Sequence, residues 1–319
     1  MAEPRDQRER PLVSVVVPTY GRSETHLREA VDSVRAQTYD NVELLIVDDS
    51  PGEVSASLEA GDLAGFARIT GRDHRGAGDA RNTGIWRAEG RYLAFLDDDD
   101  TWHPEKLARQ VARLEGSEEV GVVYTALEYI RDGDGRRLNT SAAATTGDVT
   151  RDLLEGANLG TFSTLLVDAS LVPRAGLVDP RFPVFEDREW CLRLSRHCRF
   201  ASVSDPLVRY RRGDHDQLTD GFRELRDTVL PLFERKHRPL AAAYGPDCER
   251  RFRAALRRSC ALAAMSSGEY GEARRYALAA LRFAPTDRQA WAYLAAAAGG
   301  PYTYRPLRAA RRWLAPRLG

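Results

Sequence analysis

Tyr92-Leu93-Ala94-Phe95-Leu96-Asp97-Asp98-Asp99-Asp100-Thr101-Trp102-His103-Pro104 is the stretch that decides the fold. Its apolar start, with two aromatics, reads as a buried strand, and consecutive carboxylates follow at the strand's C-terminal end before Pro104 opens a helix. Open α/β sheets bind their ligands at that edge. Adjacent acids repel one another, so the run is either a solvated acidic turn or a place where a divalent cation neutralises part of the charge. Its position at the end of a buried strand favours the cation.

The chain before this stretch has the same rhythm. Val13 to Pro18 is a β-branched run ended by a proline, and its exit Pro18-Thr19-Tyr20-Gly21-Arg22 reads as a loop. Leu27, Ala30, Val31 and Val34 then recur at helical spacing. Glu43 to Val47 is a second strand, ending in Asp48-Asp49-Ser50. Strand, helix, strand implies a right-handed parallel unit, which puts both strand exits on one edge of the sheet. A weaker strand around Ala67 to Thr70 leads into the glycine-rich segment from Gly71 to Gly84, where the backbone can approach a diphosphate and Arg81 can supply charge. An ordinary tight turn would also use Gly76-Ala77-Gly78. No glycine fingerprint follows the first strand and no Gly-Lys-Ser/Thr loop occurs, which excludes the usual dehydrogenase and ATPase phosphate sites.

Composition sets further bounds. The 319 residues suffice for one large domain and a smaller one. Lys plus Arg and Asp plus Glu both number 47, so no global field points to nucleic acid. Cys191, Cys198, Cys248 and Cys260 form neither a Cys-x-x-Cys pair nor a disulfide-like pattern and read as reduced core thiols. The first ten residues are charged, read as a disordered tail, and lack the apolar core of a signal peptide. No later run is apolar enough to span a bilayer, so the expectation is a cytoplasmic protein, soluble or peripheral on the membrane. No histidines have zinc-ligand spacing, and most are read as incidental.

Taken together, Val16-Val17-Pro18-Thr19-Tyr20, Val47-Asp48-Asp49-Ser50, Ala80-Arg81-Asn82-Thr83-Gly84 and Phe95 to Asp100 followed by Pro104 resemble the N-terminal half of glycosyltransferase family 2. The resemblance implies an α/β fold of the GT-A type, a Rossmann-like mixed sheet flanked by helices, carrying an inverting transferase that uses a nucleotide-diphospho-sugar, with a UDP-sugar favoured. It implies that Pro18, Thr19 and Tyr20 line the base pocket with Arg22 close by, and that Asp49 hydrogen-bonds the base. It places Asp98 near the ribose, Arg81 at the nucleotide, and Asp97 and Asp99 in the family's Asp-x-Asp position, Asp99 as the direct metal ligand. Mn or Mg suits that donor set, since few carboxylates completed by water and phosphate oxygens are what these hard cations take. The acceptor implied is a hydroxyl of a glycan, a lipid-linked glycan or a protein. The competing reading is a catalytically inactive GT-A scaffold that binds partners.

Beyond the acidic run, Val120 to Ile130 reads as a strand, residues 136 to 147 as a polar loop over the site, and Gly160 to Val167 as the family's acceptor-side strand. Helical spacing over Glu186-Asp187-Arg188-Glu189-Trp190-Cys191-Leu192-Arg193-Leu194 aligns Asp187 with Trp190, Cys191, Leu194 and Cys198, and sets Glu186, Glu189 and Arg193 toward another face. A carboxylate at the lip of such a stripe can reach a substrate hydroxyl; acids complementing a helix N-terminus are the alternative. Resemblance to the family's Glu-Asp motif makes Asp187 the general base and Glu186 its neighbour. Strands near Phe200 and Val208 close the domain, and the resemblance brings Arg211 and His215 toward the diphosphate, although an exposed basic loop would look the same.

The expected organisation is a tail at 1–10, a catalytic domain at 11–218 and a helical C-terminal region at 219–319. Gly268 to Leu281 with Pro285 resembles one tetratricopeptide-like hairpin, which either packs on the catalytic domain or mediates association into a homo-oligomer. Arg305 to Leu318 mixes arginines with Leu307, Trp313 and Leu314, the composition of either a membrane-surface helix or a solvated basic tail.

Overall fold

The structure is a computed structural model that describes residues 10–21, 24–50, 67–71, 75–212 and 218–304. Arg22, His215 and the basic segment from Arg305 lie outside the described residues.

The strands are β1 (Val13–Thr19), β2 (Val42–Asp48), β3 (Ala67–Gly71), β4 (Tyr92–Phe95), β5 (Thr101–Trp102), β6 (Val120–Arg131), β7 (Arg137–Thr140), β8 (Leu166–Asp168) and β9 (Arg199–Arg212). They form one sheet in the order β3-β2-β1-β4-β8-β6-β9-β5, with β7 on β6. The pairs β1–β2, β2–β3 and β1–β4 are parallel, and β8 is antiparallel to both β4 and β6. The sheet is therefore mixed, as the sequence leads one to expect, and the exits of β1, β2 and β4 lie along one edge.

Both faces of the parallel part are covered, which is why its strands read as unbroken apolar runs rather than alternating ones. Val13, Val15 and Val17 face α1 (Glu24–Arg35), which contributes Leu27, Ala30, Val31 and Val34 to the same core cluster. Val16, Leu45, Val47 and Phe95 belong to the opposite cluster, which includes Ala80 of α2 (Ala77–Arg87). Gly84 of α2 sits where a Cβ would stand 2.2 Å from Val16 Cγ1, so the close helix–strand approach requires glycine. After α3 (Lys106–Glu115), short helices α4 (Thr150–Leu154) and α5 (Val172–Ala175) precede α6 (Glu186–Leu194).

The C-terminal helices are α7 (Leu218–Glu224), continuing through a π-helical turn at Leu225–Val229 into α8 (Leu230–Ala243), then α9 (Pro246–Ser266), α10 (Tyr270–Phe283) and α11 (Arg288–Ala298). They share one hydrophobic cluster with the sheet, in which Phe233, Phe252 and Met265 join Trp190, Phe162 and Phe95. Phe182 meets Phe233 edge-on with ring centroids 5.8 Å apart, tying the segment before α6 to α8.

Two local expectations are corrected. Within the expected polar loop at 136–147, Arg137–Thr140 pairs with β6 as a hairpin. The acceptor-side segment is a 3-10 turn at Phe162–Thr164 followed by the three-residue β8. Glu189, on the face of α6 away from the apolar stripe, is fully buried. Helical spacing separates faces correctly but does not say what packs on each.

Candidate active site

The run Asp97 to Asp100 divides by burial: Asp98 and Asp100 are buried, Asp97 and Asp99 half-exposed. Asp98 Oδ2 accepts a hydrogen bond from Thr19 Oγ1 at 2.7 Å, joining the ends of β4 and β1. Asp100 accepts from Ser163 Oγ at 2.6 Å and from the Arg211 main-chain N–H at 3.2 Å. Burial, and then the charges of Asp97 and Asp99, push the Asp100 carboxyl well above the usual range. Ser163 also accepts from the Asp97 N–H at 3.1 Å, and Arg211 Nε donates to the Asp99 carbonyl at 3.0 Å. The loop is thus tied from below, and its outward carboxylates are those of Asp97 and Asp99.

A hard cation held by one or two carboxylates and completed by phosphate oxygens and water fits this outward pair. Among the described residues no cluster of three or more His, Cys, Asp or Glu side chains could hold a metal by itself.

Arg81 links this loop to α6. Its buried guanidinium donates from Nη2 to Asp97 Oδ1 at 2.6 Å and from Nη1 to Glu186 Oε1 at 3.1 Å, and it lies 4.1 Å from the centroid of the Phe162 ring. Burial raises the Glu186 carboxyl to about 7, Arg81 pulling the other way and Asp187 adding to the rise. Burial likewise raises the Asp187 carboxyl, while the Arg188 N–H, donating to Asp187 Oδ1 at 2.6 Å, opposes it. Asp187 is half-buried and borders a small cavity with Leu159, Gly160, Thr161 and Arg188. Phe185, immediately before α6, has φ +68, the described non-glycine residue in the left-handed region. That backbone costs on the order of 1 kcal/mol or more, and it turns the chain so that Glu186 and Asp187 open the helix. Phe95, Phe162 and Trp190 pack with centroids 5.2 to 5.9 Å apart, setting β4, the 3-10 turn and α6 in fixed relation.

Asp49 at the end of β2 is buried and accepts the main-chain N–H groups of Arg75 and Gly76, the latter at 2.8 Å. Thr19 is buried in β1, and Tyr20 at its exit is half exposed, 51%. Pro18, Thr19, Tyr20, Asp49, Asp97 to Asp99 and Arg81 thus gather along one edge of the sheet, while Glu186 and Asp187 reach it through Arg81. Arg211 contacts the acidic loop from β9 and also pairs with Glu29.

Several residues that hold the site together carry no sequence signal of their own. Asn82 accepts the Val178 N–H at 2.9 Å and donates to the Val178 carbonyl at 2.8 Å, pinning the segment that leads to α6 onto α2. Ser163 reads in sequence as one more polar residue in an apolar segment. Glu189, in α6, accepts from Arg193 Nη2 at 2.8 Å, lies 2.8 Å from Lys236 Nζ and is bonded to His237 at 3.0 Å, so α8 grips the helix of Glu186 and Asp187. His237 is accordingly structural rather than incidental. The signal that points to it in sequence is only an apolar helix face.

Residues 14–170 match the family model described as glycosyl transferase family 2. EpsH of Bacillus subtilis, described as a putative glycosyltransferase, is 29% identical over 64% of this chain and 61% of its own length. WfgD of Escherichia coli, named UDP-Glc:alpha-D-GlcNAc-diphosphoundecaprenol beta-1,3-glucosyltransferase, is 27% identical over 73% of this chain and 90% of its own. Among solved structures, S. aureus TarS 1-349 in complex with UDP-GlcNAc superposes with a TM-score of 0.55 at 16% identity, covering 86% of this chain and 74% of that one, a likeness of fold. The chain spans from 19% to 61% of the length of the first curated relatives it matches.

Proposed function

Since the chain belongs to glycosyltransferase family 2, we propose that it transfers a sugar, with inversion, from a nucleotide-diphospho-sugar to a hydroxyl of a glycan or lipid-linked glycan, with a UDP-sugar as donor. The observation that carries this reading is the Arg81 bridge between Asp97 and Glu186, which couples the edge expected to take the donor to the helix that presents Asp187. The names of WfgD and of the TarS complex, both with uridine nucleotides, support the choice of donor.

In this reading the Tyr20 ring, half exposed at the end of β1, stacks on the base, and Asp49 holds the loop at Arg75 and Gly76 in place beside it. Asp97 and Asp99 are the residues that would hold Mn or Mg, which when bound would neutralise charge on the nucleoside diphosphate leaving group. Asp187 accepts the proton of the attacking hydroxyl. Its half-buried setting raises its proton affinity, which suits a general base. Glu186, held by Arg81, keeps the start of α6 oriented and leaves Asp187 to the acceptor.

The test is calorimetric titration of UDP, GDP and dTDP, each with and without Mn, against wild type and Asp99→Ala, followed by transfer assays of Asp187→Asn. The expected result is metal-dependent binding of UDP that Asp99→Ala loses, and an Asp187→Asn variant that binds UDP as wild type does while transfer falls about 10²-fold or more. Binding of no nucleotide by folded protein would favour the inactive scaffold, and wild-type transfer by Asp187→Asn would remove Asp187 from the chemistry.

A further inference from the structure

The chain is neutral as a whole, but its charge is unevenly spread. From Gly271 to Gly319 it holds nine arginines against two acids, a net of +7, so the preceding residues carry the opposing excess. Both of those acids are engaged: Glu272 pairs with Arg275 at 3.3 Å, and Asp287 with Arg258 at 2.5 Å. Among the described residues from Gly271 to Tyr302, the exposed positions include Arg274, Arg275, Arg282 and Arg288 and no carboxylate.

Between these charges the surface is apolar. Trp291, Ala292, Ala295 and Ala298 share one face of α11 and are all exposed, whereas the outer face of a helix in water is ordinarily polar. On α10, Leu278 stands between Arg274 and Arg282 on the exposed face. Arg274 Nη1 donates to the Ala297 carbonyl at 2.9 Å, so the two faces adjoin. Trp291 is 54% exposed, Leu278 48% and Tyr302, just beyond α11, 89%. The Trp291 Nε1–H already donates to the Pro285 carbonyl at 2.8 Å, which leaves the body of the ring to the surroundings with its polar group satisfied.

We propose that the exposed face of α10 and α11 docks on an anionic lipid bilayer, with Trp291, Leu278 and Tyr302 entering the interface and Arg274, Arg275, Arg282 and Arg288 meeting the headgroups. Arginines around interfacial aromatics are the composition that holds a helix in the plane of such a surface. Charge opposes a second copy of the chain as the occupant, because two-fold pairing of this face sets arginines against arginines. The sequence after Tyr304 continues the same composition, with Arg305, Arg308, Arg311, Arg312 and Arg317, Leu307, Trp313 and Leu314, and no acid. A positive character that runs on in this way suits an extended surface better than a single groove on a folded partner. The acidic excess of the rest of the chain is repelled by that surface, so the charge distribution also sets which end faces it. The proposal concerns attachment and stands apart from the transfer reaction.

The test sediments the full-length protein, without nucleotide, with vesicles of phosphatidylcholine alone and of phosphatidylcholine mixed with phosphatidylglycerol. Wild type should bind the mixed vesicles and leave the neutral ones, and high salt should release it. Each arginine near an anionic surface contributes about fivefold to partitioning, so Arg282→Gln/Arg288→Gln should bind about 10- to 30-fold more weakly. These two side chains are exposed, and an unchanged melting temperature checks that the double variant folds. Tryptophan emission of wild type should move to shorter wavelength on the mixed vesicles, and the change should shrink in Trp291→Phe, because that ring leaves water. Equal binding to both vesicle types, or wild-type binding by Arg282→Gln/Arg288→Gln, overturns the proposal. Self-association of wild type that the double variant loses, with no vesicle binding, assigns the face to a second copy and overturns it too.

Discussion

Replacing Glu189 by Gln tests whether the C-terminal helices hold the catalytic helix by charge. Glu189 is fully buried in α6, where its carboxylate meets Arg193, Lys236 and His237. Burial alone would raise its pKa, but the hydrogen bonds from His237, Arg193 and Lys236 outweigh it and hold the group at about 2. Against an unfolded value of about 4.3, a folded value near 2 corresponds to about 3 kcal/mol of stability at neutral pH. Because the folded pKa is depressed, this stability is fully present above about pH 5 and is lost as pH falls through about 4 toward 2. Glutamine keeps the shape and one acceptor oxygen but leaves the half-buried Arg193 without its carboxylate, while Lys236 keeps Asp179 at 2.6 Å, so Glu189→Gln should lose about 3 kcal/mol at pH 7. Urea unfolding followed by tryptophan fluorescence at pH 7, 5, 4 and 3 measures both numbers. The gap between wild type and variant should be widest at pH 7 and close as the wild-type carboxylate takes up its proton. A gap under about 1 kcal/mol at pH 7, or one that stays constant down to pH 3, would refute the argument that this buried carboxylate is a net stabiliser.

Further outcomes follow from the bridge and the clasp around the site. Arg81→Leu strands the carboxylates of Asp97 and Glu186, and urea unfolding should register a loss of about 3 to 5 kcal/mol, part of which Arg81→Leu/Glu186→Gln regains; a stability equal to wild type would show the bridge to be energetically idle. Asn82→Ala leaves the Val178 N–H and carbonyl unpaired in a buried setting and should cost about 2 to 4 kcal/mol, with faster hydrogen exchange at the Val178 amide as the local readout. Unchanged exchange there would mean that another group takes over from Asn82.

The strand runs of the N-terminal half were legible because this sheet is covered on both faces. Val13 to Val17 and Glu43 to Val47 read as uninterrupted apolar segments, and the acids that follow them, Asp48-Asp49 and Asp97 to Asp100, necessarily share one edge once the strands are parallel. Ala80 to Gly84 was legible as a motif, but the work of its members was not. Arg81 spans to Glu186 and Asn82 to Val178, contacts more than ninety residues apart in sequence that no local period reports. The β7 hairpin was missed because Arg137–Thr140 holds a single apolar residue, Leu138, too few to show strand alternation. The turn at Phe185 was missed because a left-handed backbone at phenylalanine runs against residue preference and persists only where tertiary packing holds it.

What the sequence by itself determined is the set of acids and the edge they occupy, since strand periodicity and parallel connection depend on local pattern alone. What only the tertiary structure decided is how those acids are shared out: Asp98 and Asp100 turned inward to Thr19 and Ser163, Asp97 and Asp99 left outward, and Glu189 closed in by α8. The physical reason is that a carboxylate's role is set by the donors and the water around it, and those donors arrive here from strands and helices distant in sequence.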